Sequence, residues 1–138
     1  MIVLLDTDVL IDLALDRQPH VQAAAALIDH CETTPGTAYV AWHSLSNFYY
    51  LVTPRRGRRT ARHFLSDLGR FVSVAPTTNE SLNIACQLPL PDFEDSMQVA
   101  AALACRADVI VTRNLHHFAR SLVRAVSPST LLGRLRVG

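Results

Sequence analysis

Short, largely apolar runs recur along this chain, each followed by a helical stretch, and this alternation constrains the fold more than any other feature. The runs are IVLL (2–5), AYVA (38–41), FVSVA (71–75) and DVIVT (108–112), with VRAVS (123–127) as a candidate fifth. Between them lie TDVLIDLALD, HVQAAAALIDHCE, WHSLSNFYYLV, TARHFLSDLGR, TNESLNIACQL and SMQVAAALACRA, all with helical character. Thr7 or Asp8 is expected to cap the first helix, and PRRGRR is expected to interrupt the helical region ahead of TARHF. Strands too short and apolar to alternate are those of a parallel sheet covered by helices on both faces. The expected fold is therefore α/β in three layers, with a central parallel sheet of four to five short strands. With 138 residues, no internal repeat and no long linker, one domain over 1–138 is expected.

In such sheets ligands sit beyond the carboxyl ends of the strands. Asp6 directly follows the first run, and Arg113 and Asn114 directly follow the fourth. A second acidic group, Asp92, Glu94 and Asp95, opens the helix that precedes the fourth run. Each group has an ordinary explanation. Asp6 can cap the first helix, and Asp92 with Asp95 can form a capping pair at an end where acids are favoured. Together they point further, because carboxylates delivered to one sheet edge repel unless a cation or proton compensates. Mg2+ or Mn2+, hard ions that take oxygen ligands, would suit that edge. Such an ion can activate water and neutralise a phosphodiester.

Composition removes several alternatives. All 13 basic residues are arginine, so mechanisms built on lysine are excluded, including P-loop nucleotide binding and Schiff-base chemistry. Cys31, Cys86 and Cys105 lack the spacing of a zinc site and are expected as buried thiols of a reducing cytoplasm. No apolar run reaches the roughly 18 residues of a membrane span. The opening MIVLLDTD is expected as a first strand and not a signal peptide.

One segment is densely basic, with Arg55, Arg56, Arg58, Arg59 and Arg62 in PRRGRRTARH. It is either a solvated loop or a phosphate clamp for RNA. Arg113, beside the acidic edge, is a further phosphate-binding candidate. Trp42 and the FYY triplet are expected in the core. His116 and His117 are either polar surface or an acid–base pair near the site.

VLLDTDVLID, SLSNFYYLV, PDFEDSMQVAAAL and VIVTRNLHHF together resemble the PIN domain, as found in VapC-type ribonuclease toxins of bacterial toxin–antitoxin pairs. The resemblance spans essentially the whole chain. It implies a PIN-like fold, a magnesium-dependent endoribonuclease hydrolysing RNA phosphodiesters with metal-activated water, a homodimer, and a small antitoxin partner. Carried onto this sequence, it makes Asp6 and Asp95 metal-binding and catalytic, with Asp92 or Glu94 adding charge and Thr7 beside the phosphate. Asn47 and Asn114 stand where the family usually carries acids, and His117 stands where many members carry another. Two other readings remain: a degenerate PIN module that binds RNA or protein without cleaving, and a haloacid-dehalogenase-like phosphatase, which shares the opening DxD.

Overall fold

Val3, Leu4 and Leu5 are all buried, because the strand they form lies at the middle of the sheet with neighbours on both sides. A computed structural model describes residues 1–137. The five strands are β1 (Val3–Leu5), β2 (Ala38–Val40), β3 (Ser73–Val74), β4 (Val109–Val111) and β5 (Arg124–Val126). The helices are α1 (Thr7–Ala14), α2 (Val21–Thr33), α3 (Trp42–Arg56), α4 (Arg58–Leu68), α5 (Asn79–Gln87), α6 (Phe93–Ala104) and α7 (Pro128–Val137), with a 3-10 turn at Leu115–Phe118. The sheet order is β3-β2-β1-β4-β5, and every pairing is parallel.

Side chains alternate across the central strands, as the two-residue period of a strand requires. Val3, Leu5, Val109 and Val111 enter one core with Leu27, Phe48 and Leu131, under α1 to α4 and α7. Leu4 and Ile110 enter the other, with Val99, Ala102 and Phe118, under α6. The three expected layers are present, with helices on both faces. Among the described residues, no helix is long and apolar enough to cross a membrane.

The topology positions the site. The chain leaves β1 toward β2 on one side, and β4 later pairs with β1 on the other. The crevice between the carboxyl ends of β1 and β4 is thus a topological switch point. Leu5 pairs with Val111, and the Asp6 amide donates to the Val111 carbonyl at 2.9 Å. Asp6 and Thr112 therefore emerge side by side.

Several local expectations are corrected. Asp6, and neither Thr7 nor Asp8, caps α1, its carboxylate accepting from the Thr7 amide. PRRGRR does not interrupt as a whole, since α3 runs through Pro54 to Arg56 and only Gly57 breaks the path into α4. Gly57 has φ 86°, a conformation that favours glycine. The third strand is only Ser73–Val74. Trp42 and Tyr50 are exposed, at 70% and 73%, so of the expected aromatic core Phe48 alone is fully buried. Of the thiols, Cys31 is buried, Cys105 half-buried and Cys86 exposed.

Candidate active site

Asp6 and Asp95 reach one cavity of about 430 Å³ from opposite directions, Asp6 from the end of β1 and Asp95 from the first turn of α6. Thr7, Asp92, Glu94, Asn47 and Asn114 also line it. The fold thus gathers both acidic groups, the two asparagines and Thr7, which lie far apart in sequence.

Asp6 is the most constrained of these residues. Its Oδ1 accepts from the Thr7 amide and from Gln98 Nε2, both at 2.8 Å, and its Oδ2 accepts from Thr112 Oγ1 at 2.8 Å. Gln98 is held in turn by Ser44 Oγ at 2.7 Å. Burial raises the Asp6 pKa above the ordinary carboxylate value, the Asp95 charge adds to the rise, and the three donors oppose it. Asp95 is raised by burial and then by the neighbouring Asp92 and Glu94 charges, while His117 opposes the shift. His117 Nδ1 lies 3.5 Å from Asp95 Oδ2. His117 is thus at the site, and its ring meets that of His116 edge-on.

The added acids are already engaged. Asp92 caps α6, its Oδ1 accepting from the Asp95 amide at 3.2 Å. Glu94 accepts from Asn47 Nδ2. That hydrogen bond joins α3 to α6 across the cavity and sets a carboxylate beside the neutral Asn47. The capping explanation of DFED is therefore met at Asp92, while Asp95 lines the same cavity as Asp6.

Sequence reasoning missed Asp8 and Asp12. Asp8 Oδ2 accepts from Thr112 Oγ1, the Arg113 amide and Asn114 Nδ2, at 3.0–3.1 Å. Burial raises its pKa to about 6, with the Asp6 charge contributing. Asn114 thus faces a carboxylate supplied by α1. Asp12 is 1% exposed and grips the Arg113 guanidinium through two hydrogen bonds, which raise the arginine pKa. Arg113 is consequently occupied with Asp12 and is not among the cavity-lining residues, where the sequence alone placed it on phosphate. The cation that does line the cavity is Arg17. His43 lines it too, its pKa lowered by burial. Arg58, Arg59 and Arg62 line a separate surface hollow with His63 and Ser66, and Arg56 donates to the Ala14 carbonyl at 3.1 Å.

Among the described residues, no three His, Cys, Asp or Glu side chains stand close enough together to hold a metal by themselves. The donor set still fits Mg2+, which binds through one or two carboxylates, keeps several waters and completes its shell with substrate phosphate oxygens. Asp6 and Asp95, which line one cavity, are the residues that would hold it. Buried oxygens without partners, Asp8 Oδ1 and Gln98 Oε1, belong to residues lining the same cavity. The arrangement does not fit an ion that demands an all-protein cage.

Comparison with known proteins agrees with this fold. A PIN domain family model matches residues 2–116. No curated protein matches the sequence. Among solved structures, the chain is similar to one in VapBC2 from Rickettsia felis bound to a DNA fragment from their promoter, with TM-score 0.69, 14% identity, and coverage of 92% of this chain and 98% of that one. It is also similar to Mycobacterium tuberculosis VapC20, a sarcin-ricin loop cleaving toxin (TM-score 0.60, 16% identity, 78% and 86% covered). A third match is PAE2754 from Pyrobaculum aerophilum (TM-score 0.63, 21% identity, 100% and 91% covered).

Proposed function

This chain belongs to the PIN-domain family, and on that premise we propose that it is a magnesium-dependent endoribonuclease of the toxin type. The observation that carries the reading is the meeting of Asp6 and Asp95 in one cavity, where burial and like charge raise the pKa of both. Carboxylates gathered in one partly buried cavity are costly unless a cation or a proton compensates them. When bound there, Mg2+ (or Mn2+) would lower the pKa of a water and offset charge on the phosphodiester.

The chain's own residues supply the rest. Gln98, Thr112 and the Thr7 amide fix the orientation of the Asp6 carboxylate, so it needs little rearrangement when substrate arrives. Glu94 adds negative charge next to Asn47, and Asp8 does the same next to Asn114. Arg17 and Thr7 line the cavity and suit a phosphate. Hydrolysis then proceeds by in-line attack of water on phosphorus, with the RNA held so that its leaving oxygen lies opposite.

The proposed partners are single-stranded RNA as substrate, a small antitoxin protein, and a second copy of the chain. The similarity to VapBC2 with its promoter DNA supports the antitoxin, and the similarity to VapC20 supports RNA cleavage. The neutral Asn47 and Asn114 support a second reading, a PIN module that binds RNA without cutting it. The family match favours neither the phosphatase nor its phospho-aspartate at Asp6.

Asp6→Asn and Asp95→Asn should each abolish magnesium-dependent RNA cleavage while leaving the thermal transition intact or slightly higher, because each removes carboxylate repulsion. Cleavage retained in either variant removes that residue from the catalytic centre. Wild-type protein that binds RNA and leaves it uncut with magnesium selects the second reading.

A further inference from the structure

The acid cavity has an apolar side that hydrolysis leaves unused. Asn47, Tyr50 and Leu51 lie three and four positions apart on α3 and line the same cavity. Tyr50 is 73% exposed and Leu51 55%, although most of the other large apolar side chains of this domain are covered. The Tyr50 ring has one aromatic neighbour. Tyr49 meets it edge-on, with centroids 6.0 Å apart and planes at 79°. The Tyr49 ring in turn carries the Arg62 guanidinium 6.0 Å from its centroid. An aromatic ring is therefore presented to solvent in the same cavity as the carboxylates.

A single-stranded RNA that brings a phosphate to Asp6 and Asp95 must also place the bases flanking it. Those bases leave their own stack and stack again on an aromatic face. We propose that Tyr50 is a stacking platform for a nucleobase flanking the scissile phosphate, and so a substrate-binding residue of this site. The proposal rests on the nuclease reading. Stacking involves the ring face and not the phenol hydroxyl, and every base has such a face, so Tyr50 gives affinity and position without selecting one base.

The test is binding of two fluorescently labelled strands of equal length, an oligoadenylate RNA and an abasic RNA, measured in EDTA so that no cleavage occurs. Tyr50→Ala should weaken oligoadenylate binding by about five- to thirty-fold. Tyr50→Phe should bind like wild type, and the abasic strand should bind wild type and Tyr50→Ala alike. The exposure of Tyr50 makes the substitution compatible with folding, and an unchanged melting temperature confirms this. Unchanged oligoadenylate binding by Tyr50→Ala overturns the stack, as does an equal loss on the abasic strand. Unchanged RNA binding with weaker self-association also overturns it and assigns the ring to a protein interface. A wild-type protein that binds neither strand, in EDTA or in magnesium, removes the nuclease reading and the stack with it.

Discussion

Asp8 is the residue whose chemistry depends most on its surroundings. It is raised from 3.8 to about 6 by burial and by the Asp6 charge, although Thr112 and the Arg113 amide stabilise its ionised form. A carboxylate raised on folding binds more protons in the native than in the unfolded state between those two values. Its contribution to stability is complete below the unfolded pKa and is lost as pH rises through the folded one. Metal-free protein should therefore melt at a higher temperature at pH 5 than at pH 7.5, with roughly 1.4 kcal/mol at stake for each pH unit that separates the folded and unfolded pKa values. Asp8→Asn should reduce that difference, as scanning calorimetry in EDTA at the two pH values would show. A pH difference as large in Asp8→Asn as in wild type would assign the effect to other carboxylates. Asp6 and Asp95 are legible in the sequence because Asp6 closes an apolar run and Asp95 belongs to the acidic cluster that opens a helix. Asp8 and Asp12 are not. Spaced on α1 as they are, they read as the polar positions of an ordinary helix, and only the fold sets them against residues 112–114. The available signal is the run of acids at positions 6, 8 and 12 within an otherwise apolar segment.

At the scale of elements, the Asp12–Arg113 pair fastens α1 to the loop after β4. Asp12 is fully enclosed, and Arg113 is about a quarter exposed. Removing one partner of such a pair leaves a buried charge uncompensated, which costs far more than the pair itself contributes. Arg113→Ala should therefore destabilise the protein by about 3 kcal/mol, roughly a 10 °C fall in melting temperature for a domain of this size. The double variant Asp12→Leu with Arg113→Met should restore much of that stability in urea denaturation. A small effect of Arg113→Ala alone would mean that Asp12 takes up a proton or reaches solvent in the variant. The elements themselves are legible from apolar runs and helical spacing because burial on both faces leaves so plain a pattern. Their limits are less so. Pro54 and two arginines look like a break, yet α3 tolerates them in its last turn, and the change of direction falls on Gly57 alone. FVSVA reads as five strand residues, but this outer strand has one neighbour and pairs only through Ser73 and Val74. Trp42 and Tyr50 have the apolar character of core residues, and the sequence does not show that α3 turns them outward.

Across the whole molecule, two local concentrations of opposite charge stand out although the net charge is only +1. Six of the twelve acids, Asp6, Asp8, Asp12, Asp92, Glu94 and Asp95, collect at the carboxyl edge of the sheet. Five of the thirteen arginines collect where α3 ends and α4 begins, in and around the hollow lined by Arg58, Arg59 and Arg62. Along α3, Asn47 and Arg55 are separated by about 12 Å of helix rise, with Tyr50 and Leu51 between them. An RNA strand anchored in the acid cavity and leaving along α3 reaches the arginines only if it extends past Tyr50. A short oligonucleotide that fills the cavity alone does not. Replacing Arg55, Arg56, Arg58 and Arg59 with alanine should therefore act on long strands selectively. Each phosphate left without its arginine should lower the log–log salt slope of single-strand binding by roughly 0.7, so four such phosphates would lower it by about 3. Binding of a long RNA should weaken most at low salt, where released counterions contribute most. Cleavage of a substrate only two or three nucleotides long should keep its kcat/KM, because the acids, Gln98 and Arg17 are untouched. Anisotropy titrations over a range of salt concentrations, alongside cleavage of the short substrate, separate the two effects. A salt slope unchanged by the four substitutions would make this segment a solvated face. A weakening of equal size on short and long RNA would place the arginines at the acid cavity itself, contrary to their position in the fold.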